Sequence, residues 1–342
     1  MIKEIDLPAS CFERCALPDT FGEVAILERY KGCTGICQLL DYGLVQEAYW
    51  VVMKRYRCSL AEWRAKQNLP FGSAGGSRGG VGGPAFIALL LSILLQVVRA
   101  LSVLARDSVV HFDLKCSNIL IDPLPGIKDS QLYNPLGETA AAMAAAAETS
   151  GAPLAAPGAP RRDAAAHVPF QVVLADFGEA RSYRTAEEAF TVRNRGTEVY
   201  KSPEMLMMNQ GGGSRADAGV DRSPFGGDGS LGSPGHTSIP VAAARTALSG
   251  AGLASDVWSL GCVAYELMSG SVLFGGDYAS VTHRVAFGGS GNLRLNEGER
   301  AALGGQAELI GLVEWILARD PAKRPNLRDI EVRITELITR FA

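Results

Sequence analysis

Three segments of this 342-residue chain are too poor in large apolar side chains to form a packed core. They are a glycine and serine tract at 72–84, an alanine, glycine and proline tract at 123–169, and a glycine, serine and alanine tract at 209–252. Such compositions bury too little apolar surface to offset the entropy that ordering costs. We therefore predict flexible insertions at these three places, so the fold has to be built from the residues between them.

The residues between the insertions show regular apolar patterns. Residues 39–42 and 49–53 are typical of two strands joined by a polar turn, and apolar positions of 87–101 recur every three or four residues, as in a long helix. The same patterns predict strands at 119–121 and 172–174 and helices at 23–29, 256–268, 309–317 and 330–341. Strands and helices mix at the front and helices dominate the back, so we predict an α+β fold with a small lobe followed by a larger helical lobe.

Charge and apolar runs limit the partners that the chain can have. It carries 33 basic and 36 acidic residues, a net charge of −3, so it lacks the basic field that attracts nucleic acid. Residues 1–6 carry charges where a signal peptide would need an apolar stretch, and the apolar run at 85–95 is too short to span a bilayer. We expect a soluble, cytoplasmic protein with a buried core helix, no membrane insertion and no nucleic-acid partner.

The seven cysteines include two C-x₃-C pairs, Cys11 with Cys15 and Cys33 with Cys37. Such spacing raises the alternative of a zinc site. No histidine lies nearby, so we favour reduced cysteines that pack as ordinary side chains.

A group of polar residues follows the long predicted helix, in the sequence H-F-D-L-K-C-S-N at 111–118. It resembles the catalytic loop of eukaryotic protein kinases, H-R-D-L-x-x-x-N, with Phe112 in the arginine position. The resemblance implies that Asp113 accepts the substrate hydroxyl's proton, Lys115 meets the γ-phosphate charge and Asn118 holds a metal ion. A lysine two residues after the aspartate is typical of serine/threonine kinases. For this motif alone, an ordinary polar turn is the alternative.

The sequence Asp176-Phe177-Gly178 directly follows the predicted strand at 172–174. In this position it resembles the kinase D-F-G, which implies that Asp176 is the principal Mg²⁺ ligand. The resemblance also places Phe177 and His111 in an apolar spine with Leu27 and Leu39.

The sequence G-T-E-V-Y-K-S-P-E at 196–204 resembles the end of the kinase activation segment, with Ser202 replacing an alanine. The resemblance implies that Thr197 lies against the catalytic aspartate. It also implies that Glu204 forms a buried ion pair with Arg324, which braces a peptide-binding floor.

The sequence D-V-W-S-L-G at 256–261 resembles the start of the central helix of the kinase family. The resemblance implies that Asp256 accepts hydrogen bonds from the backbone of the catalytic loop. A simple helix N-cap is a compatible alternative.

The front of the chain resembles the family less closely. Glu23 matches the helix glutamate that pairs with a strand lysine, and Lys3 stands about where that lysine belongs. Two alternatives remain: Thr20-x-x-Glu23 is also a capping box, and Lys3 could be a frayed terminal residue. If Lys3 has the family role, the chain begins in the third strand, and no G-x-G-x-x-G phosphate loop precedes it.

Residues between the lobes match the segment that holds adenine in the family. The resemblance makes Met53 the gatekeeper, places adenine against the backbone of Lys54 and Tyr56, and assigns Leu120 to the same nucleotide site.

The motifs occur in order, so the chain is identified as resembling serine/threonine protein kinases over nearly its whole length outside the insertions. This implies one kinase domain at 1–342, with an incomplete small lobe at 1–53, a hinge at 54–57 and a large lobe at 58–342. It also implies ATP and Mg²⁺ as cofactors, with Lys3 and Lys115 meeting phosphate charge. The implied partners are proteins with serine or threonine acceptors.

Two other functions remain open. A pseudokinase, which binds without transferring phosphate, is favoured by the missing phosphate loop. A small-molecule kinase is disfavoured by the segment at 196–204. Because Phe112 replaces an arginine that would bind an activation-loop phosphate, we also predict that activity depends only weakly on phosphorylation between Asp176 and Glu204.

Overall fold

The computed structural model describes residues 1–6, 16–45, 48–67, 83–136, 168–186, 188–191, 193–208, 251–289 and 291–342. Most of the three predicted insertions lies outside these ranges, and so do Cys11 and Cys15.

The first part of the chain forms a three-stranded antiparallel sheet and one helix. The sheet contains β1 (Ile2–Asp6), β2 (Leu39–Val45) and β3 (Ala48–Met53), with β3 in the middle. Lys3 lies opposite Val51 in the register of β1 and β3. The helix α1 (Ala16–Arg29) precedes β2, and its residues Val24, Ile26 and Leu27 are buried.

The second part is mostly helical, with α2 (Leu60–Lys66), α3 (Pro84–Arg106), α4 (Asp129–Tyr133), α5 (Pro203–Met207), α6 (Leu253–Ser269), α7 (Tyr278–Thr282), α8 (Glu297–Ala302), α9 (Ala307–Ile316) and α10 (Leu327–Phe341). The central helices are α3 and α6, which are buried along most of their length and pack against each other, α10 and α9. Gly270, with φ of 82°, ends α6 as the sequence predicts.

Short strand pairs frame the polar loops between the helices. The strands are β4 (Cys58–Ser59), β5 (Val109–Val110), β6 (Ile119–Pro123), β7 (Phe170–Leu174), β8 (Arg181–Ser182), β9 (Phe190–Thr191) and β10 (Ala251–Gly252). They pair as β4-β6-β7, β5-β8 and β9-β10. The H-F-D-L-K-C-S-N loop therefore lies between β5 and β6, and Asp176 follows β7.

The structure confirms the α+β class, the small lobe with strands and the larger helical lobe. It also confirms the predicted long helix, which is α3, and the predicted strands at 119–121 and 172–174. The first helix begins earlier than predicted, at Ala16.

The boundaries of the predicted insertions need correction. Residues 123–136 are packed, because Leu132 is buried and its carbonyl accepts a hydrogen bond of 2.9 Å from Trp63 Nε1. The prediction averaged composition over the whole tract, which hid the few apolar residues at its start. Likewise Pro84 begins α3, and residues 251–252 form β10, which pairs with β9.

Within the described residues, α3 is the one helix long and apolar enough to cross a membrane. This corrects the expectation that the apolar run is too short, because the helix continues through Gln96 and Arg99 to Arg106. Its most apolar window is 78% buried inside the protein. In this structure α3 is therefore a core helix, as the sequence predicts.

Candidate active site

The loop between β5 and β6 is fixed by Asp256 in the first turn of α6. The backbone N–H groups of His111 and Phe112 donate to its two carboxylate oxygens, over 2.7 Å and 2.9 Å. Burial raises the pKa of Asp256, although His111 and the two N–H donors act in the opposite direction. Phe112 has a φ of 61°, which is rare for a side chain of its size, and the Asp256 contact holds it there.

The Asp113 carboxylate lies at the centre of a network of hydrogen bonds. Its Oδ2 accepts from Lys115 Nζ at 2.8 Å and from Asn118 Nδ2 at 2.9 Å. Its Oδ1 accepts from the backbone N–H and the hydroxyl of Thr197, at 2.8 Å and 2.7 Å. Lys115 Nζ also donates to Thr197 Oγ1 over 2.6 Å. These contacts fix the orientation of the carboxylate and bring together four residues predicted from the sequence.

A second charged group joins the small lobe to the loop after β7. Lys3 Nζ lies 2.7 Å from Glu23 Oε2 and 3.7 Å from Asp176 Oδ1. Burial by itself would lower the pKa of Lys3, but the two carboxylates outweigh it and raise that pKa. The capping-box alternative is wrong, because α1 begins at Ala16, so Thr20 lies inside the helix, and Glu23 binds Lys3 instead.

The rings of His111 and Phe177 lie 5.0 Å apart in the interior. The backbone N–H of Asp113 donates to His111 Nδ1 over 3.3 Å, so Nε2 carries the proton and donates to the Ala175 carbonyl over 3.1 Å. Leu27 and Leu39, which the sequence places in the same apolar spine, are fully buried in the main core with Phe177.

Glu204 and Arg324 form a buried, two-pronged ion pair. Arg324 Nη1 and Nη2 donate to the two carboxylate oxygens, each over 2.7 Å. Arg324 also donates to the carbonyl groups of Ala254, Ala318 and Arg319. Burial would raise the pKa of Glu204, but the Arg324 guanidinium outweighs it and lowers that pKa.

The chain is 31% identical over 331 residues to a probable serine/threonine-protein kinase of Dictyostelium discoideum. The alignment covers 96% of this chain and 11% of the relative's own length. No model of a known protein family matches the chain. The chain has a protein kinase fold. The similarity, together with the site geometry, supports membership of the protein kinase family.

The segment predicted as the hinge follows Met53, which is buried. The Lys54 backbone N–H donates to the Gln38 carbonyl over 2.9 Å, and the Tyr56 hydroxyl accepts from the Gln38 N–H over 3.0 Å. At Lys54, therefore, the carbonyl is the backbone group left for adenine. Leu120 lies in β6, half-buried, opposite Ser59 and Val173.

The residues present fit a Mg²⁺ ion beside nucleotide phosphates. Asn118 Nδ2 donates to the backbone carbonyl of Asp113 as well as to its carboxylate, so the amide oxygen is the atom left for a cation. The Asp176 side chain is 51% exposed, and its carboxylate is a hard oxygen ligand. The described residues contain no group of three or more His, Cys, Asp or Glu that could hold a metal. One or two protein ligands suffice for Mg²⁺ when phosphate oxygens and waters complete its coordination shell.

Gly196 has a structural role that the sequence patterns did not predict. It has a φ of 82°, and a Cβ there would lie 2.2 Å from the Phe112 carbonyl oxygen. Any larger residue would push the activation segment away from the catalytic loop. The signal was the glycine itself, immediately before Thr197.

Phe112 also has a role that the sequence did not show. It is buried in a second apolar cluster, whose members are Val110, Phe112, Tyr183, Ala189 and Met205. The cluster joins the catalytic loop to two parts of the activation segment and to α5 by apolar packing.

Proposed function

We propose that this chain is an active serine/threonine protein kinase domain, which transfers the γ-phosphoryl group of ATP to hydroxyls of protein substrates. The observation that carries the proposal is the Asp113 carboxylate, which four hydrogen bonds hold in one orientation. Scaffold proteins need no such arrangement, whereas general-base catalysis depends on it.

Each residue of the site has a role in this proposal. Asp113 accepts the proton of the attacking hydroxyl, and Lys115, 2.8 Å from it, is placed to meet the charge of the transferred group. Lys3, held by Glu23, meets the charge of the other phosphates. Asn118 and Asp176 would hold Mg²⁺, which when bound neutralises the charge between the phosphates.

The preference for serine and threonine rests on Lys115. Its ammonium bridges Asp113 and Thr197, with 2.6 Å to the Thr197 hydroxyl, and so narrows the space beside the base. A short aliphatic hydroxyl fits beside such a base more readily than a bulky phenol.

The first rival is a pseudokinase that binds partners without transferring phosphate. The presence of Asp113, Lys115, Asn118 and Asp176 in one site argues against it, because a binding module has no use for the complete set. The second rival, a small-molecule kinase, would not need the segment at 196–204, which packs against the catalytic loop through Gly196.

The proposal is tested by phosphate transfer from Mg-ATP to a generic protein substrate rich in serine and threonine. The purified chain should transfer phosphate, and Asp113→Asn should lower turnover by about 10²- to 10⁴-fold. Asp41→Asn, at an exposed position in β2, is the matched control and should match the parent. Equal transfer by the parent and Asp113→Asn would refute the role of Asp113. Nucleotide binding without transfer by either would favour the pseudokinase.

A further inference from the structure

An ion pair follows Thr197, the residue that binds the proposed base, and the proposed function does not use it. Lys201 Nζ lies 2.7 Å from Glu198 Oε1. The Lys201 side chain is only 6% exposed, whereas that of Glu198 is 45% exposed. The pair therefore presents its carboxylate to solvent, whereas its ammonium is buried.

The backbone under this pair is held firmly. Residues Glu198–Tyr200 form one turn of 3₁₀ helix, whose three-residue repeat brings Glu198 and Lys201 to the same side. The Tyr200 hydroxyl donates to Glu266 over 2.6 Å, and the Tyr200 carbonyl accepts from the Ser259 hydroxyl over 2.9 Å. Both partners lie on α6, so the central helix fixes the position of the Glu198 carboxylate.

The carboxylate has acceptor capacity that the protein leaves unused. Glu198 Oε2 is shielded from solvent and accepts no hydrogen bond from any residue that the structure describes. Carboxylates in such surroundings are usually satisfied by several donors, and a missing donor is costly. The Glu198 side chain as a whole is 45% exposed, so a cationic group of a ligand can bind the carboxylate from its exposed side.

The distance to the reacting hydroxyl decides which ligand group this is. Thr197 touches Asp113, and Glu198 follows Thr197 one Cα step of about 3.8 Å away. An extended substrate that runs along residues 197–198 with its hydroxyl at Asp113 would have its neighbouring residue, about 3.5 Å further along, next to Glu198. The long side chains of arginine and lysine can reach its carboxylate from there.

We propose that Glu198, positioned by Lys201, is a specificity-determining residue that selects substrates with arginine or lysine next to the phosphorylated serine or threonine. This inference rests on the proposed function and names its substrate class. A charge-assisted hydrogen bond of this kind should favour such substrates by about tenfold.

The test uses three peptides that differ only in the residues flanking one serine, which are arginine, leucine or glutamate. In the parent protein, kcat/KM should be highest for the arginine peptide, by about tenfold over leucine, and lowest for glutamate. Glu198→Gln keeps the side-chain shape and should bring the arginine to leucine ratio near one, mainly through KM for the arginine peptide. The matched control is Glu336→Gln, which removes the exposed carboxylate of another ion pair between residues three apart, Arg333 and Glu336. It should leave the arginine to leucine ratio unchanged.

Two further measurements distinguish failure of this inference from failure of the proposed function. Lys201→Arg should retain the arginine preference. Lys201→Met should weaken that preference, and its melting temperature should stay near that of the parent. Transfer that depends on Asp113 but shows no flanking preference would overturn this inference and leave the proposed function standing. If no peptide is phosphorylated, the proposed function fails. The inference is then tested by the binding of the same three peptides carrying a fluorescent label. Tighter binding of the arginine peptide, lost in Glu198→Gln, would support the inference, and equal binding would overturn it.

Discussion

Two residues in unusual backbone conformations mark the active site. Phe112 and Asp176 have φ values of 61° and 62°, a region that non-glycine residues rarely occupy. Such strain persists only where neighbouring contacts over-determine the conformation. For Phe112 those contacts are the bonds to Asp256 and burial of its ring, so the conformation that aims Asp113 is fixed by residues far away in sequence.

At the residue scale, Lys3→Met tests the role of the small-lobe ion pair. Removing the ammonium should lower kcat/KM for Mg-ATP by about 100-fold, because one preorganised charge that meets the phosphates is lost. Lys31→Met, which removes an exposed lysine paired with Glu28, is the matched control. Steady-state kinetics with varied Mg-ATP measure both. Similar values for the two variants would show that Lys3 does not contact the nucleotide.

At the element scale, strand pairing and apolar packing attach the activation segment to the rest of the protein. The pairs β5-β8 and β9-β10 hold it by backbone hydrogen bonds, and Arg195 lies 3.1 Å from Glu179 within it. The apolar cluster around Phe112 adds side-chain packing. A buried phenylalanine thus occupies the position where the sequence resemblance predicts a phosphate-binding arginine.

This arrangement supports the prediction that turnover does not need activation-segment phosphorylation. Ser182→Ala with Thr185→Ala should change turnover by less than about twofold, as measured by the peptide assay. Thr191 lies in the same segment, but it is fully buried and its hydroxyl accepts from the Arg193 N–H, so we expect it to stay unmodified. A collapse of turnover in the double variant would contradict the prediction.

Phe112→Ala tests the packing itself. The cavity should destabilise the protein by about 3 to 5 kcal/mol, as measured by urea unfolding. Phe112→Leu, which keeps most of the apolar volume, should cost far less and is the control. Equal stability of the parent and Phe112→Ala would show that the cluster does not anchor the segment.

At the scale of the whole molecule, one ion pair joins the activation segment to the C-terminal helices. Glu204 and Arg324 are 120 residues apart, and their side chains are almost fully buried. Arg324 lies over the Trp258 ring, 5.3 Å from its centre, and bonds three carbonyl groups. Removing either charge would leave the other buried and unpaired, so breaking the pair is costly even though desolvation offsets much of the attraction between the two charges.

The pair should make the free energy of unfolding depend on pH. The pKa of Glu204 is lowered in the folded protein from its ordinary value of 4.5, so its contribution is present above pH 4.5 and is lost as the pH falls through the folded pKa. Urea unfolding should therefore show a steeper loss of stability between pH 5 and pH 3 in the parent than in Glu204→Gln. A parallel loss in both would mean that Glu204 does not contribute.

Removal of the arginine gives a complementary result at neutral pH. Arg324→Met should lower the free energy of unfolding by about 3 to 5 kcal/mol, because Glu204 is left buried and unpaired. Arg340→Met, which removes an exposed arginine paired with Glu308, should cost less than about 1 kcal/mol. If the two variants are equally stable, the buried pair does not stabilise the fold more than an exposed pair does.

The sequence by itself determined the order of the elements and which residues gather around Asp113. Local patterns sufficed for this, because strand and helix periodicity depends on near neighbours, and residues such as Asp113, Lys115 and Asn118 share one short loop. The same locality explains the misplaced edges: averaging over a long tract hid the packed residues 123–136, and the spacing of Thr20 and Glu23 imitated a helix cap.

Only the tertiary structure decided which charges meet. Lys3 could have been a frayed terminal residue until Glu23 was found 2.7 Å from it. The apolar neighbours of Phe112 and the different exposure of Glu198 and Lys201 were equally hidden, because they depend on contacts between distant parts of the chain. Burial and pairing are properties of the assembled core, and a linear pattern of residue types does not contain them.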